Sequence, residues 1–383
     1  MILERFRKSR WYRRGSSRAP RLLLQWHITE RCNLRCAHCY QEGRPGKELP
    51  FQDLLKVIEQ FKTLLASLDR PAGERPTRGH ITVTGGEPFV RRDFLDLLEV
   101  FRTNRGCFSF AILTNGSSID APMARRLRTL GPSFVQVSIE GTETTHDNIR
   151  GPGAYDRTVS AVKHLVRERV PTLISFTAHR GNYREFPEVA RLGGRLGVSR
   201  VWADRLIPMG NGYALRDLVL APEETQEFFQ IMRAARQETD RRWFNHTEIA
   251  MHRALQFLEG GRPYRCTAGD TLITVQPNGE LLPCRRLPIR VGNIMETPLA
   301  DLYFRSELFR ALRERNRISE GCQHCFFSLS CRGGLKCLSY AMTGDPFRAD
   351  PGCWLASNAG SAAAHGDEGP RAESRNPIVS TNK

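Results

Sequence analysis

Short apolar runs alternate with amphipathic stretches from Arg21 to about Gly210. Leu22–Ile28, His80–Thr84, Phe108–Leu113, Phe134–Ile139, Thr172–Thr177 and Arg200–Ala203 read as strands. Between them, Phe51–Leu68, Asp93–Arg102, Ala121–Leu130, Tyr155–Arg169 and Glu185–Leu196 carry the 3.6-residue apolar period of helices. Strands alternating with helices predict βα units around a parallel sheet, either an incomplete barrel of six units or a doubly wound open sheet. Both gather chemistry at the C-terminal ends of the strands.

The pattern changes after Pro222. A helix is expected from there to Arg236, then a helical connector, 241–261, ending at Gly260-Gly261. Thr271–Val275 and Glu280–Leu282 flank Pro277-Asn278-Gly279 and read as a hairpin. One helix, Leu299–Arg315, precedes a glycine-rich stretch dense in cysteine. The segment 262–355 has too little apolar core to fold unaided, so metal is expected to hold it together. The expected units are a basic arm, 1–20, a barrel, 21–240, the connector, this cysteine-rich region, and a disordered tail, 356–383.

Composition narrows the class. With 40% hydrophobic residues in 383, the chain can bury a large core. No apolar run is long enough to span a bilayer, and no apolar signal segment follows the basic N-terminus. A cytoplasmic location is the expectation, where thiols stay reduced. Eleven cysteines there point to metal rather than disulfides, with Cys107 expected as a lone buried thiol. The formal charge of +16 is discounted by bound clusters and by seven basic residues in the first twenty. Nucleic acid and membrane are disfavoured as partners.

Cys32-x3-Cys36-x2-Cys39 follows the first strand directly. Three thiolates on one short loop can hold three irons of a cubane and leave the fourth open, which a zinc site closed by four protein ligands cannot do. Gly85-Gly86-Glu87-Pro88 ends the second strand, Thr114-Asn115-Gly116 the third, and Ser138-Ile-Glu140-Gly141 the fourth; Arg150 follows. On these residues the chain resembles the radical S-adenosylmethionine superfamily. The resemblance implies a [4Fe–4S] cluster held by Cys32, Cys36, Cys39 and S-adenosylmethionine. One electron cleaves that cofactor to a 5′-deoxyadenosyl radical, which takes hydrogen from a substrate. Gly85, Gly86, Glu87 and Pro88 match the motif that meets the methionine amino group, the glycines letting backbone approach a ligand. Asn115, Ser138, Glu140 and Arg150 are further cofactor candidates: Ser138 and Arg150 for the carboxylate, Glu140 for the ribose or nearby polar groups.

Cys266 and Cys284, with Gly279 between, then Cys322-x2-Cys325-x5-Cys331 and the distant Cys353, resemble the SPASM pattern of auxiliary clusters. Four thiolates suit zinc equally well by count, but beside a radical cluster iron–sulfur is favoured. One departure stands out: Leu335 occupies the place of a usual cysteine, and Cys337 follows two residues later. Either Cys337 replaces that ligand for the first auxiliary cluster, leaving an iron open or otherwise coordinated, or that site is incomplete. One or two auxiliary [4Fe–4S] clusters are therefore expected. The residue after Cys284 is Arg285, where sulfatase-maturing relatives carry an aspartate base.

The fold expected is α/β, a partial (β/α)6 TIM-like barrel with a C-terminal cysteine-rich SPASM domain. By resemblance, for example to the pyrroloquinoline quinone peptide cyclase, the leading function is oxidative maturation of a ribosomally made peptide or protein side chain. A tetrapyrrole- or cofactor-modifying enzyme is the alternative, and a non-enzymatic iron–sulfur carrier the alternative of another class. No catalytic base is identified. The implied partners are the peptide substrate and a low-potential donor of flavodoxin or ferredoxin type. A separate leader-recognition protein is a further candidate, since only 31 residues precede Cys32.

Overall fold

The computed structural model describes residues 21–41, 46–68, 77–241 and 246–357. The basic arm and the tail from 358 lie outside the described residues. In chain order the elements are β1 (Arg21–His27), α1 (Phe51–Ser67), β2 (Arg78–Thr84), α2 (Phe94–Thr103), β3 (Phe108–Thr114), α3 (Ala121–Leu130) and β4 (Val135–Ser138). Next come α4 (Glu143–Arg150), α5 (Ala154–Arg167), β5 (Thr172–Ala178), α6 (Phe186–Leu196), β6 (Arg200–Arg205), α7 (Pro222–Arg241) and β7 (Glu248–Ala250). The cysteine-rich part adds β8 (Leu272–Val275), β9 (Glu280–Leu282), β10 (Gly292–Asn293), α8 (Leu299–Arg305), α9 (Glu307–Arg313), α10 (Ser328–Cys331), α11 (Lys336–Thr343) and α12 (Trp354–Ser357).

β1 to β7 pair in sequence order, all parallel. A doubly wound sheet reverses its strand order at a switch point. This one never does, so the six expected units form the partial TIM-like barrel. β8 pairs parallel to β1, and β9 and β10 continue antiparallel, giving one ten-stranded sheet from β10 to β7. The hairpin expected in the cysteine-rich region therefore extends the barrel wall and fixes that region against β1.

Strand residues are buried on both faces, with Leu24, Trp26, Ile81, Val83, Ile112 and Val137 at 2% exposure or less. The helices cover the outside through single apolar stripes. On α1 the stripe is Leu54, Val57, Ile58, Phe61, Leu64 and Leu65. Each such side chain contributes about 1.5–3 kcal/mol on burial. Local signals end the helices where expected: Asp120 accepts from Met123 N–H at the start of α3, and Gly131 takes the left-handed conformation after it.

Three expectations are corrected, and one helix is new. Among the described residues of the expected helical connector 241–261, those from 246 on hold β7 and a short 3-10 turn, Gln256–Glu259, and no α-helix. The helix expected over Leu299–Arg315 breaks at Ser306, whose hydroxyl accepts from Phe309 N–H and restarts it as α9. α4 was not anticipated, because only His146 and Ile149 in it are buried. Cys107 is exposed in the turn before β3 instead of buried.

Candidate active site

The loop after β1 owes its shape to the backbone around it. Gly86 N–H donates to Thr29 carbonyl oxygen at 2.8 Å and Glu87 N–H to Arg31 oxygen at 2.9 Å. A Cβ on Gly85 would collide with Thr29 oxygen and one on Gly86 with Arg31 oxygen, and Gly85 sits at φ +151°. The two glycines are therefore required by close approach to the cysteine loop's own backbone, a reason distinct from the ligand approach expected. Two further segments cradle the loop: Ala37 N–H donates to Ile149 oxygen at 2.9 Å, and Gly212 N–H to Cys39 oxygen at 2.8 Å. Neither has a sequence signature; only the position of Gly210-Asn-Gly212 just beyond β6 hints at it.

Cys32, Cys36 and Cys39 open onto a cavity of about 500 Å³ at the C-terminal ends of β1 to β6. Gly85, Gly86, Asn115, Ser138 and Arg150 line it as the sequence suggested. Gln136, Ser175, Thr177 and Trp202 were not singled out, yet they line it too, from within β4, β5 and β6. Ser175 Oγ donates to Ser138 Oγ at 3.2 Å, and Trp202 Nε1 to Gln136 Oε1 at 3.2 Å. Asn115 Nδ2 reaches Asn33 Oδ1 at 2.9 Å, tying the end of β3 to the cysteine loop.

Three candidates do not face the cavity. Glu87 is fully buried and accepts from Thr114 Oγ1, Asn115 N–H and Phe89 N–H at 2.8, 2.8 and 3.2 Å. It staples the end of β2 to the end of β3, and burial lifts its carboxyl to about 7 against those three hydrogen bonds. Pro88 begins a buried 3-10 turn. Glu140, expected at the ribose or nearby polar groups, is also fully buried. Its Oε1 lies 2.6 Å from Arg150 Nη2 and 3.0 Å from His38 Nε2, and Oε2 accepts from Thr177 N–H at 2.8 Å. Burial alone would raise the Glu140 pKa; His38 and Arg150 outweigh that and hold it well below the usual carboxylate range. Its work is to hold Arg150, whose Nη1 stands 3.9 Å from Cys36 Sγ.

The other cysteines separate into two groups by mutual influence. Cys266, Cys284 and Cys337 act on one another, and burial chiefly, with those neighbours, pushes the Cys266 and Cys337 thiols up. Cys337 is thus near enough to Cys266 and Cys284 to influence them. Cys322, Cys325, Cys331 and Cys353 form the second group and line a small apolar hole with Phe257, Phe327 and Asp350. Burial first, then the neighbouring acids and thiols, raises Cys322 to about 11 and Cys331 to about 12. Such thiols are neutral until a metal displaces their protons. Among the described residues no three His, Cys, Asp or Glu side chains gather tightly enough for a single ion. Three thiols on the cavity, three beside its wall and four around an apolar hole suit iron–sulfur clusters by donor chemistry.

The models of two families match the chain: the radical SAM superfamily over residues 26–193, and the SPASM iron–sulfur cluster-binding domain over 266–326. The chain belongs to the radical SAM superfamily and carries a SPASM domain. It is an enzyme of that class, using [4Fe–4S] clusters and S-adenosylmethionine. AdoMet-dependent heme synthase of Methanosarcina barkeri (strain Fusaro / DSM 804) is 27% identical over 88% of this chain and 96% of its own length. Mycofactocin maturase MftC of Mycolicibacterium smegmatis is 28% identical, covering 87% and 82%. PqqA peptide cyclase of Gluconobacter oxydans is 26% identical, covering 88% and 91%. Among solved structures, Streptococcus suis SuiB bound to S-adenosylmethionine superposes with TM-score 0.69 at 17% identity, over 87% of this chain and 77% of that one. That likeness is one of fold.

Proposed function

We propose that this enzyme oxidatively modifies a ribosomally made peptide or protein side chain held between the cysteine loop and the first auxiliary group. Cys32, Cys36 and Cys39 would hold the cluster that, with S-adenosylmethionine, would supply radical hydrogen-abstraction chemistry. The chain's own residues do the rest. Glu140 fixes Arg150 at the cavity wall, Ser138 and Asn115 offer hydrogen bonds there, and Phe176, Trp202, Leu206 and Ile207 make part of the wall apolar and dry. Cys266, Cys284 and Cys337 would hold a three-thiolate cluster behind Arg286, placed to accept the substrate's electron, and Cys322, Cys325, Cys331 and Cys353 a four-thiolate one.

One observation carries the peptide reading. A second cavity of about 370 Å³ shares Glu30, Tyr40, Gln41 and Arg285 with the first and runs toward the β8–β9 turn. Adjoining cavities suit a chain that continues on one side of its reacting residue. The named activities of the cyclase and the mycofactocin maturase point the same way. The heme synthase relatives support a second reading, a tetrapyrrole, because a cavity edged by six arginines also suits propionates. A low-potential protein donor and a cytoplasmic setting complete the proposal; no described helix is long and apolar enough to cross a membrane.

The test is anaerobic co-expression with each short peptide encoded beside the gene, followed by mass spectrometry, against incubation with iron coproporphyrin. Loss of two hydrogens from a peptide supports the first reading. Turnover of the porphyrin alone replaces it with the second.

A further inference from the structure

We propose that Arg285 is the substrate's carboxylate receptor: the peptide presents an acidic side chain, or its C-terminus, at the junction of the two cavities. The inference rests on the reading of those cavities as the peptide site and names a property of the peptide.

The arginines of the central cavity differ in what answers their charge. Arg31 is paired with Glu48 at 3.0 Å, Arg150 with Glu140 at 2.6 Å, Arg205 with Asp350 at 2.5 Å and Arg286 with Asp204 at 2.5 Å. Arg35 is exposed to water. Arg285 is partly buried, its Nε, like that of Arg286, is enclosed without a hydrogen-bond partner, and no carboxylate among the described residues pairs with it. Of the acids lining the same cavities, Glu280 faces Arg290 at 3.2 Å, and Glu30 accepts from Gly46 N–H at 2.9 Å without an ion pair to Arg285.

The consecutive arginines point in different directions. Arg286 acts on the Cys284 and Cys337 thiols and answers Asp204. Both arginines act on Tyr40, but only Arg285 acts on His27 as well, and its guanidinium carbon lies 5.7 Å from the Tyr40 ring centre. It therefore faces the partition between the cavities, and Arg286 serves the cysteine group. Its backbone N–H donates to Gln25 Oε1 at 3.3 Å, which anchors the residue to β1. His27, deeply buried, offers no countercharge. A guanidinium that lines two cavities with no anion paired to it is open to one, and its planar fork matches a carboxylate bidentately.

The test uses the reconstituted holoenzyme and phenylglyoxal, which modifies unpaired guanidinium groups, with peptide mass mapping. Glutarate at saturation should slow modification of Arg285 by about tenfold, as expected for a ligand near ten times its Kd. Glutaramide at equal concentration should not, and the ion-paired Arg205 and Arg286 should be unaffected by either. Equal rates at Arg285 with glutarate and glutaramide overturn the proposal. In Arg285→Gln holoenzyme with wild-type iron content, glutarate should no longer raise the melting midpoint; a retained shift places the anion elsewhere and also overturns it. Protection by glutarate in an enzyme that modifies no peptide would leave the receptor standing and remove only the peptide reading.

Discussion

Arg205 at the end of β6 and Asp350 beside the second cysteine group form a two-pronged ion pair, Nη1 to Oδ1 at 2.8 Å and Nη2 to Oδ2 at 2.5 Å. Both side chains are at 1% exposure or less. Asp350 also accepts from Leu335 N–H at 2.9 Å and Gly352 N–H at 3.0 Å, so one carboxylate ties the barrel to the loops bearing Cys331 and Cys353. Removing one partner strands the other charge. Asp350→Ala should cost about 3–5 kcal/mol in urea unfolding, and Arg205→Met with Asp350→Leu together less than either single change. A cost under 1 kcal/mol for the single variant would mean the pair is not what joins the two parts.

The glycines before Glu87 make a second prediction. In Gly86→Ala the new methyl meets Arg31 carbonyl oxygen, which can move only if the cysteine loop moves. The variant should fold with the barrel intact, lose about four irons and cease to cleave S-adenosylmethionine. A variant that keeps its iron but binds the cofactor weakly would instead restore the ligand-approach explanation.

His146 gives a pH prediction. Burial first, then the Arg150 charge, lowers it to about 4, so the folded state holds it neutral. Unfolded, it takes up its proton near 6.5. Its contribution is therefore complete above pH 6.5 and is lost as pH falls toward 4, reaching roughly 2–3 kcal/mol at most. Its Nδ1 accepts from Glu140 N–H at 3.2 Å, and Asn can replace that acceptor. In the metal-free protein, His146→Asn should unfold at a urea concentration that varies less between pH 6.5 and 4.5 than the wild type. An unchanged slope would assign the acid sensitivity to other groups.

The barrel was legible because its signals are redundant: each long strand is apolar, and each helix shows one apolar stripe. The elements that escaped notice are short or polar. β7 has three residues, and α4 buries only two. Within the site, spacing singled out the cysteines, and in the fold Cys337 comes close enough to Cys266 and Cys284 for the three thiols to influence one another. Side-chain direction was not legible. Glu140 and Arg150 both lie after β4, yet only Arg150 reaches the cavity. Gln136, Ser175 and Trp202 fall in ordinary strand sequence, and only the barrel brings them together.

The measurement closest to the central claim is iron counting and 5′-deoxyadenosine formation after anaerobic reconstitution, in the wild type and in Cys337→Ala. The account predicts about twelve irons and dithionite-driven cofactor cleavage in the wild type, with about four irons lost in the variant as Cys266 and Cys284 lose their third partner. About eight irons in both proteins would leave the first auxiliary group empty and contradict the electron-accepting role given to it. No deoxyadenosine from the fully loaded wild type would contradict the radical chemistry itself.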